Sequence, residues 1–330
     1  MPEITNERGG EVFACEDGDT ILRAALRNGI GMPYSCNTGS CGNCRFDLVE
    51  GSVEHLRDDP PAWSERDLKR GRWLGCQAVP HGDCRVKFRT MAQYVPPVRP
   101  ETHTAELTAV ETITRDISEF TFRLDTAGDF RPGQYALLTF PGVEGPRAYS
   151  MSNIAGDDTW SFMIKKAPGG AGTGWLFDAA PGATLTLDGP YGTAFLREDS
   201  PRDIVLMAGG SGLSPMVSIA RGAVAAGMTA SRKIHLFYGG RQSADLCKPH
   251  VLGPAEGHIT FTPALSDPEP DAGWAGPTGF LHAVVEAEMG EALKDCEIYF
   301  AGPAVMSQAV QQMAHGAGVP GDQLHFDEFY

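Results

Sequence analysis

Residues 36–44 read Cys36-Asn37-Thr38-Gly39-Ser40-Cys41-Gly42-Asn43-Cys44, and Cys76 follows 32 residues after Cys44. The cysteines are spaced Cys-x4-Cys-x2-Cys with a distant fourth, which is a spacing that binds a [2Fe–2S] cluster. Three thiolates must converge on a small cluster from one tight loop, and the fourth arrives from another strand. Gly39 and Gly42 permit the positive φ angles and close backbone approach that such a loop needs. Asn37 and Ser40 add compact polar groups that help to order it. Amides aimed at the sulfurs would offset the negative charge of the cluster and tune its potential. Zinc also accepts four thiolates. Zinc loops usually pair cysteines two to four residues apart twice over, however, which this spacing fits poorly. Cys15, Cys84, Cys247 and Cys296 stand outside the pattern and read as small apolar residues.

Around the loop, Thr20 is placed to cap a helix over 21–28, with Gly29 as its stop. Tyr94-Val95-Pro96-Pro97-Val98-Arg99-Pro100 reads as a linker, because proline favours extended backbone and denies ladder donors. Three domains are expected: 1–94 around the cysteines, 101–197 after a linker at 95–100, and 198–330. The middle domain is rich in alternating and β-branched segments (107–110, 119–124, 184–187) with Pro-Gly turns, the texture of an antiparallel barrel or sandwich. The last alternates apolar strands (204–208, 234–238, 258–263, 297–301) with helical patterns (215–226, 281–289, 304–314). That alternation predicts a parallel sheet with crossover helices.

The chain has 330 residues and a net charge of −15, which argues against binding a phosphate backbone. Residues 1–95 hold 12 Lys/Arg against 14 Asp/Glu, and the rest hold 15 against 28. The acidic excess reads as solubility or as complementarity to a partner. No run approaches the roughly 18 apolar residues of a membrane span, and the polar, acidic N-terminus is unlike a signal peptide. A cytoplasmic protein without membrane insertion is expected. Eight cysteines in such a chain point to metal or redox work rather than to disulfides.

Two glycine-rich turns are candidates for phosphate binding. Gly169-Gly170-Ala171-Gly172-Thr173-Gly174 opens an apolar segment and can present amides and a hydroxyl to a pyrophosphate. Ile204-Val205-Leu206-Met207-Ala208-Gly209-Gly210-Ser211-Gly212-Leu213-Ser214-Pro215 reads as a buried strand, a turn and a helix start. Pro215 suits the first helical turn, where no backbone donor is lost.

The N-terminal stretch resembles a plant-type ferredoxin of β-grasp form. The order of Phe130-Arg131-Pro132-Gly133-Gln134-Tyr135, Arg147-Ala148-Tyr149-Ser150, Gly189-Pro190-Tyr191-Gly192 and the Gly-Gly-x-Gly-x-x-Pro turn resembles the ferredoxin–NADP reductase superfamily. That resemblance implies that Arg147 neutralises the flavin phosphate, that Tyr149 packs on the flavin and that Ser150 bonds near its N5. It places Gly172 and Thr173 at FAD. Gly209, Gly210, Gly212 and Pro215 fall at NAD, with Arg241 by the ribose and Asp245 as a weaker ribose candidate. Ala301-Gly302-Pro303 lies beside the nicotinamide, with Ala301 where the family usually has Cys. A C-terminal aromatic, Phe329 or Tyr330, is expected to cover the flavin ring. The domain order implies FAD, and the Tyr238-Gly239-Gly240-Arg241 segment implies NADH over NADPH.

The whole chain is similar to the reductase components of bacterial multicomponent oxygenases, and in finer detail to the toluene monooxygenase type. Such a resemblance implies electron flow from NADH through FAD and a [2Fe–2S] cluster to an oxygenase or a Rieske ferredoxin. Flavin takes a hydride as two electrons and yields them singly, and no acid or base is nominated. A diiron monooxygenase partner and a monomeric reductase are expected. The alternatives are service to a Rieske dioxygenase or a membrane hydroxylase, or a redox sensor that does not turn over.

Overall fold

The structure is a computed structural model and describes residues 1–156, 158–268 and 273–329. Its first sheet runs in the order Val12–Ala14, Glu3–Asn6, Cys84–Lys87, Arg45–Glu50, Arg72–Leu74. The first and last strands in chain order of this part lie side by side and parallel, with Ile4 opposite Cys84. Helix Ile21–Arg27 packs Ile21, Leu22 and Leu26 into the core beneath them. Thr20 caps it as expected, its side chain accepting from the Arg23 amide at 3.4 Å. A sheet wrapped on one helix in this way is the β-grasp form.

The second sheet has six strands in the order Arg147–Ser150, Tyr135–Thr139, Thr184–Tyr191, Glu101–Thr112, Ile117–Leu124, Thr159–Lys165. Every neighbouring pair is antiparallel. A bridge between Met151 and Phe162 brings its two edges together, so the sheet is a nearly closed barrel. Phe120, Phe122, Trp160, Phe162 and Leu187 fill it.

The third sheet is wholly parallel: Thr260–Leu265, Ile234–Gly240, Ile204–Gly209, Glu297–Pro303, Leu324–Phe329. Successive residues of Ile204–Gly209 feed opposite faces, Leu206 and Ala208 one core, Val205 and Met207 the other. A strand covered on both sides reads as a continuous apolar run. Helices Leu213–Ala225, Leu281–Met289 and Ala304–Gly316 provide cover. Strand 258–263 of the sequence reading shifts to Thr260–Leu265, because Gly257 takes φ +79° and the turn runs through His258. The last strand, Leu324–Phe329, has no counterpart in that reading: its polar residues hide it until Glu297–Pro303 offers a free edge. Among the described residues no helix is long and apolar enough to cross a membrane.

Candidate functional site

The cysteine loop is already shaped around its sulfurs. Asn37, Gly39 and Gly42 take φ of +55°, +84° and +76°, which turns successive amides inward. Those of Ser40 and Cys41 each lie 3.3 Å from Cys36 Sγ, that of Thr38 lies at 3.5 Å, and that of Asn43 lies 3.5 Å from Cys41 Sγ. Cys76 arrives from the turn after Arg72–Leu74, where the Gly75 amide donates to the Cys44 carbonyl at 2.8 Å. A side chain at Gly75 would strike Met32 and the Cys44 carbonyl.

The four thiols form two pairs. The Cys41 S–H beside it holds Cys36 down at about 5, and Cys44 likewise lowers Cys76, while Cys41 and Cys44 are pushed up. Among the described residues no three Cys, His, Asp or Glu side chains converge on one ion-sized point. Two thiol pairs ringed by amides suit a binuclear cluster, whose irons each take two thiolates. Cys41 is the partly exposed member, the other three being buried. Cys15, Cys84, Cys247 and Cys296 are buried elsewhere, with thiols pushed up by burial.

A cavity of about 1100 Å³ opens beside this loop. Cys36 lines one wall, Arg147, Tyr149 and Ser150 another, and Ser211 a third. Arg147–Ser150 is an edge strand of the barrel, with Tyr135 opposite Ser150 and Ala136 opposite Tyr149. Burial pushes the Tyr149 phenol up to about 12. Arg147 is exposed, and its Nη1 donates to the carbonyls of Glu144, Gly145 and Pro146 at 3.1–3.2 Å. Gly172 lies in the first turn of helix Ala171–Asp178, where a side chain would approach Phe140 at 3.0 Å and Arg147 at 3.4 Å. Thr173 also lines the cavity, but its hydroxyl turns inward. It is engaged in its own turn with Ala167 and the Gly170 carbonyl, so the amides of this helix start are the freer donors.

The second glycine turn meets the cavity from the parallel sheet. Gly210 takes φ +57°. A Cβ at Gly212 would lie 1.9 Å from the Ala301 carbonyl oxygen, so only glycine lets strand Glu297–Pro303 pass so close. This approach puts Ala301, Gly302 and Pro303 beside Gly209 and Gly212. Pro215 falls in the first turn of Leu213–Ala225, as expected. The Ser214 hydroxyl donates to the Ser150 carbonyl at 2.7 Å and accepts from the Met163 amide at 3.0 Å. Arg241 is exposed at the end of Ile234–Gly240. Asp245, the weaker ribose candidate, has protein partners on both oxygens. One oxygen pairs with Arg115 at 2.7 Å and the other accepts from the Arg241 and Gln242 amides.

Three features escaped the sequence reading. Tyr135 donates from its hydroxyl to the Ser35 carbonyl at 2.5 Å, tying the barrel to the residue before Cys36. Tyr34 returns the link, accepting from the Gly192 amide at 2.8 Å. Asp327 sits opposite Ala301 and lines the same cavity, where burial pushes its carboxyl up to about 7. A single Asp in a polar terminus gives no sequence signal for this. The backbone of Phe329 pairs with Pro303. Its side chain, and the whole of Tyr330, lie outside the described residues.

Three family models match the chain in succession: a 2Fe-2S iron-sulfur cluster binding domain over residues 4–81, an oxidoreductase FAD-binding domain over 104–195 and an oxidoreductase NAD-binding domain over 206–312. Fold and cleft thus define an oxidoreductase that unites a nicotinamide, a flavin and an iron–sulfur cluster. The chain is 39% identical over 322 residues to the ferredoxin–NAD(P)+ reductase CarAd of Metapseudomonas resinovorans, covering 96% of each. It is also 39% identical to the ferredoxin–NAD+ reductase component of the alkene monooxygenase system of Xanthobacter autotrophicus, covering 97% of this chain and 98% of that one. The solved ferredoxin reductase in carbazole 1,9a-dioxygenase superposes with a TM-score of 0.92 at 37% identity, covering 100% of this chain and 98% of that one. The chain belongs to the reductase components of multicomponent oxygenases.

Proposed function

We propose that this reductase takes hydride from NADH and passes single electrons to the oxygenase component of a multicomponent monooxygenase, of the diiron kind, directly or through a Rieske ferredoxin. The observation that carries the reading is that one cleft touches the cysteine loop, the Arg147–Ser150 strand and the glycine turn at once. The relatives bear on the partner, since one is named for an alkene monooxygenase system. We assign residues 1–94 to the cluster domain, 95–100 to the linker, 101–197 to the FAD domain and 198–330 to the NAD domain, in a monomeric, cytoplasmic protein.

When bound, FAD would accept a hydride and release electrons singly, and the [2Fe–2S] cluster would carry them one at a time. Cys36, Cys41, Cys44 and Cys76 hold the cluster, and the loop amides offset its charge. Arg147 supplies a fixed positive charge for a flavin phosphate. Tyr149 provides a flat apolar wall, and Ser150 a hydroxyl at the ring. The amides around Gly172 and Thr173 face the pyrophosphate from a helix N-terminus. Gly209, Gly210, Gly212 and Pro215 shape the dinucleotide turn. Ala301, Gly302 and Pro303 floor the nicotinamide position, with Arg241 at the ribose end. Ser214 fixes the distance between flavin strand and dinucleotide turn, the alignment on which hydride transfer depends.

The test replaces Cys41 or Cys76 with Ala. Either variant should lose its iron and the paramagnetic signal of the reduced cluster, yet still reduce flavin with NADH. Variants that keep a full complement of iron and sulfide would refute the ligand set. A higher specificity constant with NADPH would overturn the choice of NADH.

A further inference from the structure

Behind the cysteine loop lies a buried group of charges contributed by two domains. Helix Ile21–Arg27 runs across the back of the loop, and its Leu22 amide donates to the carbonyl of Gly75, the residue before Cys76, at 2.9 Å. The next side chain, Arg23, is only 8% exposed. Its Nε lies 3.4 Å from the side-chain oxygen of Asn37, the residue after Cys36. Arg23 therefore sits between the segments that deliver two of the four thiols, one from each pair.

The neighbouring charges compensate the two arginines unequally. Arg27 bonds Asp19 and Asp188 at 2.9 Å each and reaches the Pro100 carbonyl at 3.0 Å. Asp188 belongs to the barrel and also accepts from Tyr191 at 3.0 Å. Arg23 reaches only the second oxygen of Asp188, at 4.0 Å, and its Nη2 is buried with no hydrogen-bond partner among the described residues. A buried cation with an unsatisfied donor is costly. Arg27 makes the short bond to Asp188, and the Tyr135–Ser35 and Gly192–Tyr34 bonds also cross this boundary, so Arg23 is not needed for that contact.

We propose that Arg23 is a positioning residue for the cluster that raises its reduction potential, and that Asp188 counteracts it across the domain boundary. The inference rests on the cluster ligands proposed above. A [2Fe–2S] cluster with four thiolates has formal charge −2 when oxidised and −3 when reduced. One electron arrives from the reduced flavin, and no proton or bond changes. A cation held near the sulfurs favours the −3 state over the −2 state, and an anion disfavours it. At an effective dielectric of about 20, removing a unit charge within a nanometre changes such an equilibrium by roughly tenfold. A barrel carboxylate within this group makes the driving force for electron arrival depend on how the two domains meet.

The test is a redox titration of the full-length protein, following the paramagnetic signal of the reduced cluster. Arg23→Met should make the cluster about tenfold harder to reduce relative to a fixed reference couple, a downward shift of about 59 mV for one electron. Arg23→Lys, which keeps the charge, should stay within about twofold of wild type. Asp188→Asn keeps an acceptor for Arg27 and Tyr191 and should shift the potential upward. Opposite signs for the two domains are what a purely structural role would not produce. Should Arg23→Met fail to retain iron, the Lys and Asn variants carry the test. A wild-type potential in an iron-replete Arg23→Met protein, or a downward shift in Asp188→Asn, overturns the proposal. Wild-type protein without iron and sulfide would instead refute the ligand assignment, and this inference with it.

Discussion

The barrel's junctions with its two neighbours differ in the reach of the side chains that make them. Toward the cysteine sheet the polar contacts rest on long side chains: Arg27 on Asp188, the Tyr135 hydroxyl on the Ser35 carbonyl, and the Gly192 amide on Tyr34. Toward the parallel sheet, short hydroxyls grip backbone directly, Ser214 on the Ser150 carbonyl and Ser218 on the Asn153 carbonyl, at 2.7 and 2.6 Å. Two arginines add to these, Arg221 on the Ser152 carbonyl at 3.0 Å and Arg115 on Asp245 at 2.7 Å, so charge is present at this junction too and the short hydroxyls are what sets it apart. A serine hydroxyl has one rotatable bond and fixes a backbone within tenths of an ångström. An arginine has several and fixes it less tightly. The difference matches the task on each side. Hydride transfer needs van der Waals contact and alignment, so the flavin strand and the dinucleotide turn are pinned. The cluster side has no such short hydroxyl pins but two tyrosine hydroxyls and the Arg27–Asp188 charge, which acts over a longer range and tolerates small displacements.

This contrast can be broken at either junction. The largest effect is expected on the charged side. Asp188→Ala strips Arg27 of one of its two carboxylates and leaves both arginines buried, a loss of about 3 kcal/mol if it behaves as a broken buried pair. In denaturant, the transition of the cysteine domain should move to lower concentration, with flavin retained in the rest. Should the two domains still unfold together at the wild-type midpoint, apolar contacts such as Tyr135 and Tyr191 against the cysteine-domain core hold the junction instead.

On the hydroxyl side, Ser214→Ala leaves the Ser150 carbonyl and Met163 amide without a partner, at about 1–3 kcal/mol. The rate of flavin reduction by NADH should fall while the cluster potential stays where it was. An unchanged rate in stopped-flow would mean that the glycine turn is aligned without Ser214.

A pH-dependent effect sharpens the comparison inside the cleft. Asp327 titrates near 7 in the folded chain, against about 3.9 for an unfolded Asp. Its raised value means that the neutral form suits the fold. Stability from this group is fully present below about pH 4 and is lost as pH rises through about 7. Asp327→Asn in flavin-free protein should therefore match wild type at pH 4 and melt higher than wild type at pH 8. Parallel pH profiles for the two proteins would show that the carboxylate is solvated.

The cluster loop was the most legible part of the chain. Its candidate thiols lie within nine residues plus one, and Gly39 and Gly42 occupy the positive-φ positions the spacing demanded. The helix cap at Thr20 and the buried strand Ile204–Gly209 were equally plain, because a cap is a local hydrogen bond and a doubly covered strand is an apolar run. The terminal strand was not legible, since Leu324–Phe329 becomes a strand only by pairing with Glu297–Pro303. The ion pair of Asp245 was hidden for a related reason: its partner Arg115 is distant in sequence and comes from the barrel.

What the sequence by itself determined is therefore the set of cofactors and the order of three folding units, because thiol spacing, turn glycines and strand periodicity are properties of neighbouring residues. Only the tertiary structure decided that Gly212 must be glycine on account of the Ala301 carbonyl, that Asp327 faces the cavity, and that Arg23 and Asp188 meet behind the cysteines. These are relations of distance and burial between segments far apart in the chain. Coulomb energy, desolvation and steric exclusion act on those distances, and no local pattern encodes them.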